Sequence, residues 1–186
     1  MVQRLVVIAF PIDLVVAVDL DWGIGKADGL PWPRLRGDLA HFRKLTSTTT
    51  RDDGRNAIVM GRRTWHSKEV GGKPLARRLN VVVSRSPLTE PDGVIATGSI
   101  EAAVEAAKAA GVERVFVVGG AQIYVVALAS PRLRYVYLTR VAGHYHCDAR
   151  IPDLDAAGLV RDATWDGETV GEEQGVSYRI ERLVAS

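Results

Sequence analysis

A buried strand passes directly into a helix in the stretch Ala57-Ile58-Val59-Met60-Gly61-Arg62-Arg63-Thr64-Trp65. The part up to Met60 is an unbroken apolar run, which is typical of a strand covered on both faces of a sheet. Gly61 ends this strand, and Arg62 and Arg63 open a short helix. Because the start of a helix has free amide groups and a positive dipole end, the turn is a candidate anion site, and a solvated basic turn is the alternative.

Apolar strands alternate with helical patterns along the rest of the chain. Strand patterns cover residues 12–18, 80–83, 114–118 and 134–139, and helical patterns cover residues 99–110 and 121–128. Two β-like runs within residues 168–183 predict a hairpin, whereas residues 46–55 are polar and predict a surface loop. The sequence therefore predicts one α/β domain over residues 12–186, with a mostly parallel central β-sheet, an antiparallel C-terminal hairpin and flanking helices.

Composition restricts the class of protein. A chain of 186 residues with 47% hydrophobic and 25% charged residues is ordinary for one soluble globular domain. The net charge of +2 is too small to indicate a nucleic-acid or membrane partner. The apolar run within residues 1–11 is too short to span a bilayer, so we interpret these residues as an N-terminal extension. The single cysteine, Cys147, suits a reducing compartment, and we expect a cytoplasmic monomer.

The stretch Leu30-Pro31-Trp32-Pro33 precedes a helix whose first turn contains Asp38. Two prolines hold the backbone extended, so the helix begins after Pro33, and Leu39 and Phe42 mark its apolar face. An acidic residue in a first turn often does no more than favour the positive end of the helix. With Trp32, Leu39 and Phe42 as neighbours, however, Asp38 is also a candidate acid that is poorly solvated and raised in pKa.

These motifs together resemble dihydrofolate reductase. The N-terminal part of the resemblance consists of residues 15–18, 22–26 and 30–32 together with Asp38, and residues 58–65, 80–85 and 117–124 match later motifs in the same order. The resemblance extends from about Asp13 to the C-terminus, with a motif spacing closer to the eukaryotic type. It implies the reduction of dihydrofolate with NADPH, and antifolates as inhibitors. The rival predictions are a related pyrimidine reductase and a non-catalytic nucleotide- or RNA-binding module.

The cofactor site that the resemblance implies lies at one edge of the parallel sheet. Ser84 and Arg85 would meet Arg62 and Arg63 there, and such donors suit the extra phosphate of NADPH, where NADH would need an acidic acceptor. The resemblance also implies a cis peptide between Gly119 and Gly120 and a mobile loop of residues 19–25 over the nicotinamide. The full set of expected cofactor residues is Ala17, Ile24, Gly25, Arg62, Arg63, Thr64, Ser84, Arg85, Gly119, Gly120, Ala121, Gln122 and Ile123.

The substrate site that the resemblance implies is centred on Asp38, which would protonate the pteridine through water near Trp32. Thr139 would orient this carboxylate, Tyr124 would lie near the nicotinamide, and Arg78 matches the arginine that pairs the substrate carboxylate. Adjacent Arg77 is an alternative to Arg78. The remaining expected catalytic and substrate-binding residues are Leu30, Val15, Val16, Leu39, Phe42, Lys68, Leu75 and Val118.

Several residues depart from the family pattern. Asp38 is shorter than the Glu that usually accompanies this spacing, and Lys68 occupies a position that is commonly apolar. Gly98 stands where a basic residue is common. His144, His146 and Asp148 alternate, so an extended backbone would direct them to one face, but the set has no fourth ligand at matching spacing and we predict no metal site.

Overall fold

A computed structural model describes residues 10–89 and 91–186. Within this part of the chain the helices are α1 (Arg36–Ser47), α2 (Arg62–Trp65), α3 (Ile100–Ala109) and α4 (Ala121–Leu128). The strands are β1 (Ile12–Val18), β2 (Gly23–Gly25), β3 (Asn56–Gly61), β4 (Arg78–Val83), β5 (Val94–Thr97), β6 (Val115–Val117), β7 (Leu133–Val141), β8 (Ala149–Arg150), β9 (Leu159–Arg161), β10 (Thr169–Glu173) and β11 (Val176–Ala185).

One mixed sheet forms the centre of the fold, with the strand order β10-β11-β7-β1-β6-β3-β4-β5. Neighbours from β7 to β5 run parallel, whereas β11 is antiparallel to β7, β9 and β10. The predicted α/β class, the mostly parallel sheet and the C-terminal hairpin are therefore confirmed. A separate two-stranded ladder joins β2 to β8, where the sequence predicted only a loop for β2.

The central strands are buried on both faces: consecutive residues of a strand pack in different core clusters. In β3, Ala57 and Val59 pack in the cluster that contains α3 and α4, whereas Ile58 and Met60 pack in the cluster that contains Trp65. All four residues of this run are fully buried. The unbroken apolar sequence of these strands follows directly, since neither face meets water.

The prediction of a surface loop over residues 46–55 is wrong at its start. Helix α1 continues to Ser47, and Thr46 is completely buried. The Thr46 hydroxyl donates to the Phe42 carbonyl at 2.7 Å, and Asn56 Nδ2 donates to the Thr46 carbonyl at 3.2 Å. A polar residue can remain in the helix and in the core here because both its hydroxyl and its carbonyl have partners.

The predicted N-terminal extension lies almost entirely outside the described residues, which include only Phe10 and Pro11 of it. Phe10 packs against the core cluster of β1. Among the described residues, no helix combines the length and apolar character that crossing a membrane requires.

A buried carboxylate stabilises the start of the sheet. Asp13 in β1 is fully buried, and its Oδ2 atom accepts hydrogen bonds from the Arg114 guanidinium at 2.6 Å and from the Arg134 guanidinium at 2.7 Å. Arg114 also donates to the Tyr137 hydroxyl at 2.9 Å. This network connects β1 and β7 with the residue preceding β6.

We expect Asp13→Asn to destabilise the fold by about 2 kcal/mol, because the variant leaves two arginines facing a buried neutral group. This loss is smaller than the usual cost of breaking a buried ion pair, since both arginines are partly exposed. Glu105→Gln is the matched control, because Glu105 pairs with Arg132 at an exposed position, where we expect a loss below about 1 kcal/mol. Urea unfolding measures both. Equal losses in the two variants would contradict the assigned role of Asp13.

Candidate active site

A cleft of about 1210 Å³ opens at the carboxyl ends of the central parallel strands. Strands β1, β3, β4 and β6 end there, and α1 borders the cleft on one side. The apolar part of the wall that the sequence predicted is formed by Val15, Val16, Leu30, Leu39, Phe42, Leu75 and Val118.

Asp38 is one of the carboxylates that line this cleft. It lies in the first turn of α1, is half-buried, and its Oδ1 atom accepts a hydrogen bond from the Thr139 hydroxyl of β7 at 2.6 Å. Burial raises the pKa of the Asp38 carboxyl, the negative charge of Glu173 raises this pKa further, and the Thr139 hydrogen bond opposes the shift. At a given pH, a larger fraction of Asp38 is therefore protonated than of an exposed aspartate.

Tyr124 closes the floor of the cleft near Asp38. Its hydroxyl donates to the Val15 carbonyl at 2.7 Å, and the side chain is only 5% exposed. Burial, followed by the negative charge of Asp38, strongly raises the pKa of the Tyr124 phenol. Tyr124 is therefore a neutral group that holds α4 against β1.

The structure distinguishes the two adjacent arginines. Arg78 is half-buried and lines the cleft, and its guanidinium donates to the Thr46 hydroxyl at 2.8 Å and lies 5.9 Å from the centre of the Phe42 ring. Arg77 is exposed, at a φ of 64°. Burial lowers the pKa of the Arg78 guanidinium, which nevertheless stays charged near neutral pH because its ordinary value is far higher. Of these two arginines, Arg78 is therefore the one available to an anionic group in the cleft.

Two glycines bring the ends of β3 and β6 together. The Gly61 amide donates to the Gly119 carbonyl at 2.8 Å, and the Gly119-Gly120 peptide is cis, as the resemblance implied. Gly119 has a φ of 139°, and a Cβ atom there would lie 2.9 Å from the Thr64 hydroxyl. A side chain cannot be accommodated, so the backbone itself forms this part of the cleft. Ala121, Gln122 and Ile123 continue the same wall into α4.

The predicted basic groups lie at the edge of the cleft. Arg62, Arg63 and Arg85 are exposed, and Arg63 pairs with Asp28 at 3.0 Å. The Ser84 hydroxyl donates to the Ser86 carbonyl at 2.8 Å. Thr64, Ser84 and the three arginines all line the cleft, so the strand ends bring the two predicted sets of donors to one edge.

The loop after β1 forms another wall of the cleft through Ile24 and Gly25, with Ala17 at the end of β1. Buried Asp19 organises this loop. Its Oδ1 atom accepts from the Gly23 amide at 2.7 Å, and its Oδ2 atom accepts from the Tyr145 amide at 3.0 Å. The loop is thereby fixed to the segment that follows β7.

Two predicted site residues, Trp32 and Lys68, do not line the cleft. Trp32 is 5% exposed and packs edge-to-face on Tyr145, with ring centroids 5.7 Å apart. Lys68 is exposed, and its Cδ atom lies close to Gly29. Trp32 therefore packs in the core cluster that contains Tyr178 and Ile180, while Lys68 lies on the surface beside Gly29.

The His144, His146 and Asp148 side chains do not follow the extended geometry that would direct them to one face. His146 has a φ of 52°, so the backbone turns between them. His144 Nδ1 lies 2.9 Å from Asp21 Oδ2, and Asp148 Oδ2 accepts from the Ala27 amide at 2.9 Å. Each of these two side chains has its own partner in the loop after β1.

Some residues of the cleft were not identified from the sequence. Glu69 accepts a hydrogen bond from the Leu30 amide at 2.8 Å, and Glu101 follows Ser99, the N-terminal cap of α3. Asp28 and Arg34 also line the cleft. The sequence offers a signal only for Asp28, which lies between Gly25 and Gly29 in the glycine-containing loop.

The fold and the cleft define an α/β protein in which a half-buried acid faces a glycine-rich sheet edge that carries several arginines. The sequence model of dihydrofolate reductase matches residues 11–183. The chain belongs to the dihydrofolate reductase family.

Individual relatives agree with this assignment. The dihydrofolate reductase of Rattus norvegicus is 32% identical over 178 residues, covering 92% of this chain and 95% of that protein. The bifunctional dihydrofolate reductase-thymidylate synthase of Glycine max is 41% identical over 149 residues, which are 76% of this chain and 28% of that protein. The solved structure of Schistosoma mansoni dihydrofolate reductase superposes with a TM-score of 0.82 at 31% identity, covering 95% of this chain and 99% of that chain.

We expect Thr139→Val to raise the pKa of Asp38 further, because the hydroxyl that stabilises the ionised carboxylate is lost. The control is Thr169→Val, since exposed Thr169 donates only to the Gly167 carbonyl, at 3.3 Å. A ¹³C NMR titration of the Asp38 carboxyl group measures the shift. An unchanged or lower pKa in Thr139→Val would show that this hydrogen bond does not stabilise the charged form.

Proposed function

We propose that this protein reduces 7,8-dihydrofolate to 5,6,7,8-tetrahydrofolate with NADPH, adding a proton to the pteridine nitrogen next to the carbon that receives the hydride. The observation that carries the proposal is that Asp38, an acid of raised pKa, shares one cleft with the Gly119-Gly120 backbone and the basic sheet edge. Family membership supports the same reaction.

The cleft fits a reduced dinucleotide phosphate. It extends from Asp38 to the ends of β3 and β4, and the Gly119-Gly120 backbone forms part of its wall, where a flat ring or a pyrophosphate can approach. Arg62, Arg63 and Arg85 provide cations at the far edge for phosphate groups, with Ser84 beside them. When bound, NADPH supplies the hydride.

Asp38 binds the amino edge of the pteridine and promotes protonation. Its carboxyl group is partly desolvated among apolar residues, so it holds a proton at a higher pH than an exposed aspartate does. Thr139 fixes one carboxyl oxygen, which leaves the other to face the ligand. Because the aspartate side chain is short, we infer that a water molecule carries the proton to the pteridine nitrogen.

Arg78 binds the carboxylate of the substrate. Its guanidinium lies 5.9 Å from the centre of the Phe42 ring, and it is already held by Thr46 and by the Ala76 carbonyl, which accepts from Nε at 3.0 Å. A guanidinium oriented in this way loses little freedom when it pairs with a carboxylate. Antifolates that retain this carboxylate should use the same contact.

We expect Asp38→Asn to reduce kcat for dihydrofolate by about 100-fold or more, because the proton donor is lost, while NADPH binding is unchanged. NADPH oxidation at 340 nm measures turnover, and quenching of tryptophan fluorescence measures cofactor binding. Asp53→Asn, in the exposed loop after α1, should behave as the wild type. Full turnover by Asp38→Asn would contradict the assigned acid.

We expect Arg78→Gln to raise KM for dihydrofolate about 10- to 100-fold with little change in kcat, because a charged hydrogen bond present throughout the reaction is removed. The neighbouring Arg77→Gln variant is the matched control and should leave KM unchanged, since Arg77 is exposed and does not line the cleft. If Arg77→Gln raises KM and Arg78→Gln does not, the two roles are exchanged.

A further inference from the structure

The turn between β10 and β11 packs against the start of α1. Glu173 Oε2 accepts from the Arg36 amide at 2.7 Å, and Glu173 Oε1 accepts from the Gly37 amide at the same distance. The next residue, Gln174, donates from Nε2 to the Arg34 carbonyl at 2.8 Å. This turn therefore contacts three of the residues that lead into Asp38.

Helix α1 has no cap of its own. Its N-cap residue is Leu35, whose side chain makes no capping hydrogen bond. The first amides of a helix need acceptors, and the positive end of its dipole favours a negative charge. Glu173 satisfies both requirements from a distant strand, since it accepts from two of these amides with a carboxylate.

Tyr178 in β11 fixes the position of Glu173. Its hydroxyl donates to Glu173 Oε1 at 3.0 Å, and its side chain is 6% exposed. The phenol lies between two glycines: a Cβ atom would be 2.1 Å from the Tyr178 oxygen at Gly37 and 2.5 Å from it at Gly171. With glycine on both sides, Tyr178 fits directly against the first turn of α1.

The same strand supports the second anchor of Asp38. In the antiparallel pairing of β11 with β7, Ile180 lies opposite Thr139, the residue that donates to Asp38. The strand that carries Tyr178 is thus bonded to the strand that carries Thr139. The first turn of α1, which carries Asp38, and Thr139, which donates to Asp38, are therefore both connected to β11.

We propose that Glu173 and Tyr178 are positioning residues for Asp38: they hold the first turn of α1 so that the Asp38 carboxyl meets Thr139. This inference rests on the proposed function for its kinetic consequence.

The charges around Asp38 agree with this role. The amides of Gly37 and Arg36 hold the pKa of Glu173 below its ordinary value, with smaller contributions from Tyr178 and from the Arg36 charge, so Glu173 is ionised near neutral pH. The other titratable groups that face Asp38 are Tyr178 from β11 and Tyr124 from α4, and burial raises the pKa of both phenols. Both phenols are neutral, so among the described residues Glu173 is the charged group that acts on the Asp38 carboxyl. Loss of its charge alone lowers the pKa of Asp38, whereas loss of the Thr139 contact raises this pKa.

The test uses Glu173→Gln, which keeps the size of the side chain and removes its charge. The readout is the effect of Thr139→Val on the pKa of Asp38, measured by ¹³C NMR titration of the ligand-free protein in the wild-type and in the Glu173→Gln background. Thr139→Val should raise this pKa less in the Glu173→Gln background, because the Asp38 carboxyl no longer meets the Thr139 hydroxyl there. With dihydrofolate and NADPH, kcat should also fall about threefold, because the acid is no longer held in position. The matched control is Glu172→Gln, since exposed Glu172 contacts Ser177 at 3.3 Å, and it should leave both readouts unchanged.

The titration is independent of turnover, so the two proposals fail separately. An effect of Thr139→Val on the Asp38 pKa that is equal in the two backgrounds overturns the positioning role, whereas a wild-type protein that does not oxidise NADPH with dihydrofolate contradicts the proposed function. If Glu173→Gln does not fold, Tyr178→Phe replaces it, because the ring stays between the glycines and only the contact to Glu173 is lost. A smaller effect of Thr139→Val on the Asp38 pKa in that background supports the proposal, and an effect equal to that in the wild-type background overturns it.

Discussion

The hydrogen bond from Thr139 to Asp38 is the interaction on which the site depends. At 2.6 Å it joins the first turn of α1 to β7, and both residues line the cleft. It stabilises the ionised carboxylate, while burial favours the protonated acid, and burial has the larger effect. The site therefore contains an acid whose position is fixed by a donor and whose proton affinity is set by desolvation.

The parallel sheet makes this arrangement possible because its carboxyl ends collect at one edge. Strand β3 leads through Gly61 into α2, and β6 leads through Gly119 and Gly120 into α4. The acid approaches the same edge from α1, which precedes both units in the chain. Two unlike surfaces, one apolar and acidic and the other composed of backbone and arginines, consequently face one cleft.

The sequence predicts the parts of this structure that local patterns determine. Apolar runs such as residues 57–60 identify buried strands, and Asp38 follows an extended Pro-Trp-Pro segment that delays the helix. Arg78 and Arg77 could not be separated in this way, because neighbouring side chains differ only in how the folded backbone directs them. The extension of α1 through Thr46 was missed since its partners, Phe42 and Asn56, become visible only in the fold. Glu173 was missed for the same reason: it lies 137 residues from Arg36, whose amide it accepts.

A crystal structure of the protein with NADPH and a folate bound together tests the role of Asp38 most directly. If Asp38 is the acid, the amino edge of the pteridine lies within hydrogen-bond distance of Asp38, and the nicotinamide ring lies between the pteridine and the Gly119-Gly120 backbone. A pteridine bound away from Asp38, or a dinucleotide bound outside the cleft formed by the ends of β3, β4 and β6, would contradict it.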